Sequence, residues 1–106
     1  MDLAEIIYSV SSTWPREEVY GLTIQIRRAA VSVPSNIAEG QGRMSRGEFV
    51  NHLGIAYGSL MEVETQMLLA HRLAYAAPGD ADRVSAAAAE VGRLLNGLLR
   101  TLSTDH

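Results

Sequence analysis

The sequence contains no cysteine, no lysine, one tryptophan and one phenylalanine among its 106 residues. Without cysteine, the chain has no disulfide framework, no thiolate zinc site, no iron–sulfur cluster and no cysteine nucleophile. No apolar run approaches the roughly 20 residues that cross a bilayer, and no charged-then-apolar signal segment opens the chain. These absences predict a cytoplasmic protein that does not associate with membranes.

Charge and length narrow the possibilities further. The nine basic residues are all arginines, and 12 acidic residues give a formal net charge of −3. A negative balance argues against nucleic-acid binding that is driven by bulk charge alone. The length suits one domain over residues 1–106, which can bury roughly two-thirds of the surface that the unfolded chain exposes. Composition therefore excludes several classes of protein, but it indicates no activity.

Apolar residues recur at helical spacing along the whole chain, and no alternating β-branched run indicates a strand. The pattern predicts helices over about 2–12, 15–39, 46–75 and 81–102. Shorter apolar seams run from Val19 along the second helix and to Leu102 along the fourth. Four amphipathic helices with short connections predict an all-α, antiparallel up-down-up-down four-helix bundle. The third helix carries the longest seam, with alternating gaps of four and three residues: Phe49, Leu53, Ala56, Leu60, Val63, Met67, Ala70 and Ala74.

Capping residues mark the predicted helix ends. Ser45 and Glu48 form an S-x-x-E capping box at the start of the third helix. Asp80 follows a Pro-Gly turn and is the predicted N-cap of the fourth helix. Gly40 and Gly42 are predicted to end the second helix, because glycine is common just beyond helix C-termini.

Two features depart from a regular bundle. The first helix would be roughly 16 Å long, whereas the third would be about 45 Å long. One end of the bundle would therefore lack a fourth helix, which lowers the stability of the bundle. Pro34 lies within the second helix, where it lacks an N–H group and clashes with the carbonyl of Ala30. We therefore predict a kink at Pro34, with Ser35 and Asn36 hydrogen-bonded to the backbone groups that the kink releases.

The third helix is apolar on more than one face. Residues 67–70 are apolar through a full turn, and a second stripe lies outside the seam. A helix that is apolar nearly all round is buried nearly all round, and so short a chain offers few neighbours. Two glycines in this helix each cost up to about 1 kcal/mol, which close approach of another helix would offset. The sequence thus predicts a homo-oligomer whose interface includes Gly54, Ile55, Gly58, Leu68, Leu69 and Leu73.

A glycine-rich loop precedes the third helix. It resembles a phosphate-binding loop. No strand precedes it, however, so it lacks the structural context of a dinucleotide-binding site. Flanked by Arg43 and Arg46, it could bind an anion at a helix N-terminus, or it could be a C-cap followed by an N-cap. Arg27 and Arg28 could likewise contact nucleic acid or pair with Glu39, Glu62 or Glu64. The candidate contacts for weak, salt-sensitive binding of RNA or single-stranded DNA are Arg27, Arg28, Gly42, Arg43, Ser45 and Arg46.

Signals for catalysis are weak. No glutamate is followed three residues later by histidine, which argues against a di-iron bundle site. Glu48 and His52 share a helix face and could hold one weakly bound metal, or form a solvated pair. No local serine–histidine–acid signature occurs. An enzyme that uses a pocket near Arg28, Glu39 and Glu62 is the least favoured hypothesis, and we expect no cofactor.

Residues 20–40 (YGLTIQIRRAAVSVPSNIAEG) carry a specific resemblance, with matches continuing through residues 42–49 and 58–66. The region of residues 15–75 closely resembles the bacterial four-helix-bundle family of 23S ribosomal RNA intervening-sequence proteins. The same fold family includes the accessory variability protein of diversity-generating retroelements. The resemblance implies a left-handed four-helix bundle that assembles into a homopentameric ring with a central channel, without an established enzymatic activity.

This chain departs from its relatives in two ways. The retroelement protein is strongly basic, binds nucleic acid and partners a reverse transcriptase, whereas this chain is acidic overall. Relatives also carry a longer first helix. Two main hypotheses follow: a non-enzymatic oligomeric scaffold that binds a protein or nucleic-acid partner, and a purely structural or selfish-element protein without a nucleic-acid role.

Overall fold

The computed structural model describes residues 2–104 of the chain. These residues form four α-helices and one short 3₁₀ turn at Arg16–Glu18, and they contain no strand. The all-α prediction is therefore confirmed. The helices are α1 (Asp2–Ser11), α2 (Leu22–Gln41), α3 (Arg46–Arg72) and α4 (Asp80–Thr104).

The helices form a closed bundle in which each packs against two others. α1 contacts α2, α2 contacts α3, α3 contacts α4, and α4 returns to contact α1. Because successive helices are joined by short connections, neighbours run antiparallel, as predicted. The bundle measures 48 × 24 × 18 Å. No helix in the described part of the chain is long and apolar enough to cross a membrane.

The predicted seams form the core. In α3 the seam from Leu53 to Ala70 is buried throughout, while Phe49 is only partly buried. α1 contributes three buried apolar side chains, and Trp14 packs against the core beyond the end of α1. The core residues from α2 and α4 are Ile26, Ala29, Ala30, Val33, Val84, Ala88, Val91 and Leu95.

The predicted start of the second helix is wrong. Pro15 precedes a separate 3₁₀ turn, and α2 begins only at Leu22, because Gly21 adopts a non-helical conformation. Glu18 Oε1 accepts the Leu22 N–H at 3.0 Å and so supplies a cap from within the turn. Val19, placed in the seam by its spacing, lies outside α2 and is 45% exposed.

The predicted end of the third helix is also too late. The Tyr75 N–H donates to the Ala70 carbonyl and the Ala74 N–H to the His71 carbonyl, which is the pattern of a Schellman C-cap. Ala74 therefore has a left-handed conformation, with φ of 62°, and is not a seam residue. Asp80 is the first residue of α4 and not its N-cap, since its carboxylate accepts the Ala77 N–H at 3.1 Å.

α2 remains helical across Pro34, as predicted. The Asn36 side chain hydrogen-bonds a backbone carbonyl in this region, but its partner is Ser32 at 2.9 Å and not Ala30. Ser35 is exposed.

One end of the bundle is thinner than the other. α1 has 10 residues and is about 15 Å long, whereas α3 has 27 residues and is about 40 Å long. Beyond the reach of α1, the apolar side chains of Ile37, Phe49, Leu98 and Leu102 are only partly buried. The core is therefore enclosed by three helices at this end of the bundle and by four helices at the other end.

Gly40 lies inside α2 and permits its close approach to α3. A Cβ atom at Gly40 would lie 2.8 Å from Phe49 Cδ1 and 2.9 Å from His52 Cβ. The predicted role of Gly40 as a helix end is therefore wrong. Gly42 is the C-cap of α2, and its φ of −80° is one that any residue adopts.

Candidate interaction surfaces

The loop between α2 and α3 consists of two caps in direct succession. The Gly42 N–H donates to the carbonyls of Ala38 and Glu39, and the Arg43 N–H donates to that of Gly40. Ser45 Oγ accepts the Glu48 N–H at 3.1 Å and caps α3, as the capping box predicts. The N–H groups of Gly42 and Arg43 thus already have partners within the chain.

Arg43 is shared between two carboxylates. Its Nη2 donates to Glu39 Oε1 at 2.7 Å, and its Nε lies 3.8 Å from Glu48 Oε2. The hydrogen bond from Arg43, with a smaller electrostatic contribution from His52, lowers the pKa of Glu39. Arg46 is exposed in the first turn of α3. The positive charge of the loop is therefore smaller than its arginines suggest, because Glu39 and Glu48 offset Arg43.

Arg27 holds α1 against α2. Its Nε donates to Ser11 Oγ at 2.8 Å, and its guanidinium carbon lies 4.6 Å from the centre of the Tyr8 ring. Ser11 Oγ in turn donates to the Ile7 carbonyl at 2.6 Å. The positive charge thus lies at the C-terminus of α1, where the helix dipole favours it. These partners differ from the glutamates that the sequence offered.

Arg28 follows Arg27 but points outward. It is exposed at the rim of a shallow cleft of about 400 Å³ between α1 and α2, which we call the basic cleft. The outer side chains of this cleft include Tyr8, 47% exposed, and Val31, 41% exposed. The basic cleft is lined by Tyr8, Ile24, Arg27, Arg28, Val31 and Ser32.

The six predicted interface residues are all exposed, five on α3 and Leu73 at its C-cap, but they do not form one patch. At about 100° per residue, Ile55, Leu69 and Leu73 lie on the flank next to α2. This assignment follows from Ser59, one turn after Ile55, whose hydroxyl donates to Ser32 Oγ of α2 at 2.8 Å. Leu68 lies on the opposite flank, next to α4. Gly54 and Gly58 lie on the outer face between the two flanks.

Leu68 belongs to a second cleft, of about 320 Å³, between the C-terminal half of α3 and the start of α4. We call it the acidic cleft, because Glu64 and Asp82 are its charged lining residues. Its apolar lining comes from both helices, and Leu68 is 50% exposed. The remaining lining residues are Met67, Ala81, Val84 and Ser85.

A chain of polar side chains crosses the α2–α3 contact, and the sequence analysis missed it. From Ser59 it runs through Ser32 to Asn36 Nδ2, which donates to Ser32 Oγ at 3.0 Å. Asn36 Oδ1 is then left to accept from His52 Nδ1 at 3.0 Å, so this nitrogen carries the proton. His52 Nε2 lies 4.0 Å from Glu39 Oε1. The spacings 32–36 and 52–59 place each polar pair on one helix face, and this was the available signal.

The opposite end of the bundle has a polar contact without any local sequence signal. Tyr75 Oη donates to Glu18 Oε2 at 2.7 Å. This bond joins the connection between α1 and α2 to the connection between α3 and α4. Tyr75 also packs against Trp14, with ring centroids 6.4 Å apart. The indole N–H of Trp14 is buried without a hydrogen-bond partner in the described part of the chain.

The groups considered for catalysis do not converge. Glu39 contacts Arg43 and His52, whereas Arg28 lies 11 residues earlier on α2, about 16 Å away along the helix. His52 interacts with Asn36 and Glu39 rather than with Glu48. Within residues 2–104, no three metal-ligating side chains cluster together.

A family model described as 23S rRNA-intervening sequence protein matches residues 1–97. The chain belongs to this family. No curated protein matches it. Its fold is also similar to that of a Bacteroides thetaiotaomicron VPI-5482 protein of unknown function from the S23 ribosomal protein family. That structure is 23% identical, covers 92% of this chain and 85% of its own, and superposes with a TM-score of 0.74.

Proposed function

We propose that this member of the 23S rRNA-intervening sequence protein family is a cytoplasmic, non-enzymatic scaffold that assembles with copies of itself. The observation that carries the proposal is the outer surface of α3. Ile55, Leu68, Leu69 and Leu73 are each between 45% and 50% exposed. Leu69 and Leu73 are one helical turn apart, and exposed apolar side chains that adjoin in this way mark a contact with another molecule. Burying the exposed half of each would contribute roughly 1 kcal/mol.

Two glycines of α3 support the same proposal. A Cβ atom at Gly54 or Gly58 would meet nothing within 4 Å, so packing within the chain does not require glycine there. Each glycine nevertheless costs the helix up to about 1 kcal/mol relative to alanine. Close approach of a helix from another copy would offset this cost. The resemblance described above implies a pentamer.

Light scattering at micromolar concentration tests self-assembly. The wild type should give several times the chain mass of 11.5 kDa. Replacing Ile55→Gln together with Leu69→Gln should shift the protein toward the monomer mass, because both side chains lose their apolar contacts. Leu94→Gln is the matched control, since Leu94 on α4 is equally exposed at 50%. A wild type that is a monodisperse monomer would contradict the proposal.

Binding of RNA or single-stranded DNA at the α2–α3 loop remains a second proposal. The exposed Arg46 in the first turn of α3 supports it, because a positive charge beside the positive end of a helix dipole favours anions. The pairing of Arg43 with two carboxylates weakens it. A purely structural or selfish-element role is the alternative if no nucleic acid binds.

A further inference from the structure

We propose that copies of this chain join through two different surfaces: the basic cleft of one copy docks onto the acidic cleft of the next. The proposal rests on the self-assembly proposed above and specifies its geometry. Arg28 of one copy would lie between Glu64 and Asp82 of its neighbour, with the apolar side chains around each cleft packed together.

The charges of the two clefts are complementary. The basic cleft has Arg27 and Arg28 among its described lining residues and no carboxylate, whereas the acidic cleft has Glu64 and Asp82 and no basic residue. Arg27 is already fixed by Ser11 and Tyr8, so it adds positive potential without moving. Complementary potentials favour a heterologous pairing and disfavour like-with-like pairing of either cleft.

Both clefts also combine their charge with exposed apolar area. Val31 and Tyr8 flank Arg28, and Leu68 flanks Glu64. The docked pairs would therefore be shielded from water, where a charge pair is screened less by salt than on an open surface. Each cleft alone is shallow, but together they supply the apolar centre and the charged pair of a specific interface.

The positions of the clefts on the bundle support the same pairing. The basic cleft lies between α1 and α2, and the acidic cleft between α3 and α4, on a different side of the closed bundle. Ser32 of the basic cleft bonds Ser59, and Glu64 is five residues farther along α3, or about 7.5 Å. The clefts therefore lie at nearly the same height.

This arrangement has a consequence for the assembly. Two different surfaces on each copy give a head-to-tail contact, which closes into a ring or continues as a filament. Because the clefts differ little in height, successive copies would rise little along the bundle axis. Leu68 fits this geometry, since it lines the acidic cleft and would face the neighbouring copy that docks there.

Charge reversal tests the pairing. Arg28→Glu should raise the concentration for half-dissociation by about 30-fold or more, because a desolvated charge would face carboxylates. Glu64→Arg should have a similar effect. The double variant with both changes should recover most of the lost assembly, because the charges are exchanged between the two surfaces. Arg93→Glu, an exposed site on α4 outside both clefts, is the matched control.

The outcomes separate this inference from the proposed function. Light scattering measures the mass of each variant, and circular dichroism verifies its helix content. A wild-type oligomer that survives Arg28→Glu unchanged, or a double variant no better assembled than the single ones, would overturn the pairing while leaving self-assembly intact. A monomeric wild type would overturn both.

Discussion

Among single residues, Ala74 bears the clearest local strain. Its φ of 62° lies in the left-handed region, where the Cβ atom crowds the following carbonyl. The Schellman motif at the end of α3 requires this conformation, and glycine is the residue that adopts it without penalty. The motif persists because Tyr75, the next residue, is held by Ala70, Trp14 and Glu18.

Replacing Ala74→Gly should therefore raise the free energy of unfolding by about 0.5–1 kcal/mol, after the added flexibility of the unfolded chain is deducted. Urea unfolding of the two proteins measures the difference. Gly79→Ala is the opposite control, because Gly79 has φ of 86° and should lose about 1 kcal/mol with alanine. Changes of equal sign in the two variants would show that backbone strain is not the cause.

The seam residues could be predicted one by one, since burial follows the spacing of apolar residues along a helix. Gly40 shows the limit of such reasoning. Its importance comes from Phe49 and His52 on another helix, and spacing along α2 carries no information about that distance. The partners of Arg27 were missed for the same reason, because they belong to the C-terminus of α1.

At the scale of elements, the start of α2 depends on a residue outside it. Glu18 accepts the Leu22 N–H through one oxygen and the Tyr75 hydroxyl through the other. These two bonds, the backbone one first, lower the pKa of Glu18, and the same contact raises the pKa of Tyr75. The carboxylate thus links the connection before α2 to the connection after α3.

The sign of this shift predicts the response to acid. A carboxyl group with a lowered pKa in the folded state stabilises the protein above its unfolded pKa, and this contribution is lost as the pH falls through the folded pKa. Glu18→Gln should lower the free energy of unfolding at neutral pH. It should also reduce the further loss of stability as the pH falls below 4.5, the ordinary pKa of a glutamate carboxyl. Urea midpoints measured from about pH 7 to pH 3 test this.

Glu17→Gln is the control for that series, because it removes the same charge one residue away. It should leave the acid-induced loss of stability nearly as in the wild type. An equal effect of both substitutions would assign the pH dependence to net charge rather than to the contacts of Glu18.

Helix number and most seams were predictable, but two helix boundaries were not. Apolar spacing continues through Val19 and Ala74, so periodicity alone extends α2 and α3 too far. The true boundaries are set by Gly21, by the Glu18 cap and by the Schellman motif. Tyr75 and Glu18 are 57 residues apart, and no local pattern announces their contact.

For the whole molecule, the net charge of −3 governs any encounter with nucleic acid. Five copies would carry five times −3, or −15, which repels phosphate unless arginines concentrate on one surface. Arg43 and Arg46 lie at the same end of the bundle and would repeat around one rim of a ring. With Arg43 partly offset by Glu39 and Glu48, we expect binding that is weak, free of sequence preference and steeply dependent on salt.

Fluorescence anisotropy with labelled RNA and single-stranded DNA in about 50 mM salt measures this binding. Arg43→Ala with Arg46→Ala should weaken it and flatten its dependence on salt. Arg83→Ala is a control at the opposite end of the bundle, at the start of α4. No binding at tens of micromolar protein would favour the purely structural role.

The bundle as a whole was predictable because four apolar seams with short connections leave few arrangements. The two clefts were not, since they depend on how neighbouring helices are rotated against each other. The split of the six predicted interface residues between two flanks was not predictable either. It follows from the contact of Ser59 with α2 and from the position of Leu68 beside α4.

The shortness of α1 has a consequence for synthesis on the ribosome. α1 is translated before the other three helices, yet one of its two neighbours, α4, comes after both α2 and α3 in the chain. With 10 residues, α1 is too short to be stable as an isolated helix. At ordinary translation rates its core residues Leu3, Ile7 and Val10 wait on the order of ten seconds before α4 can cover them. The α2–α3 hairpin can form during that interval, so docking of α1 is expected to be the last step, and the nascent chain offers chaperones the apolar face of α1 until then.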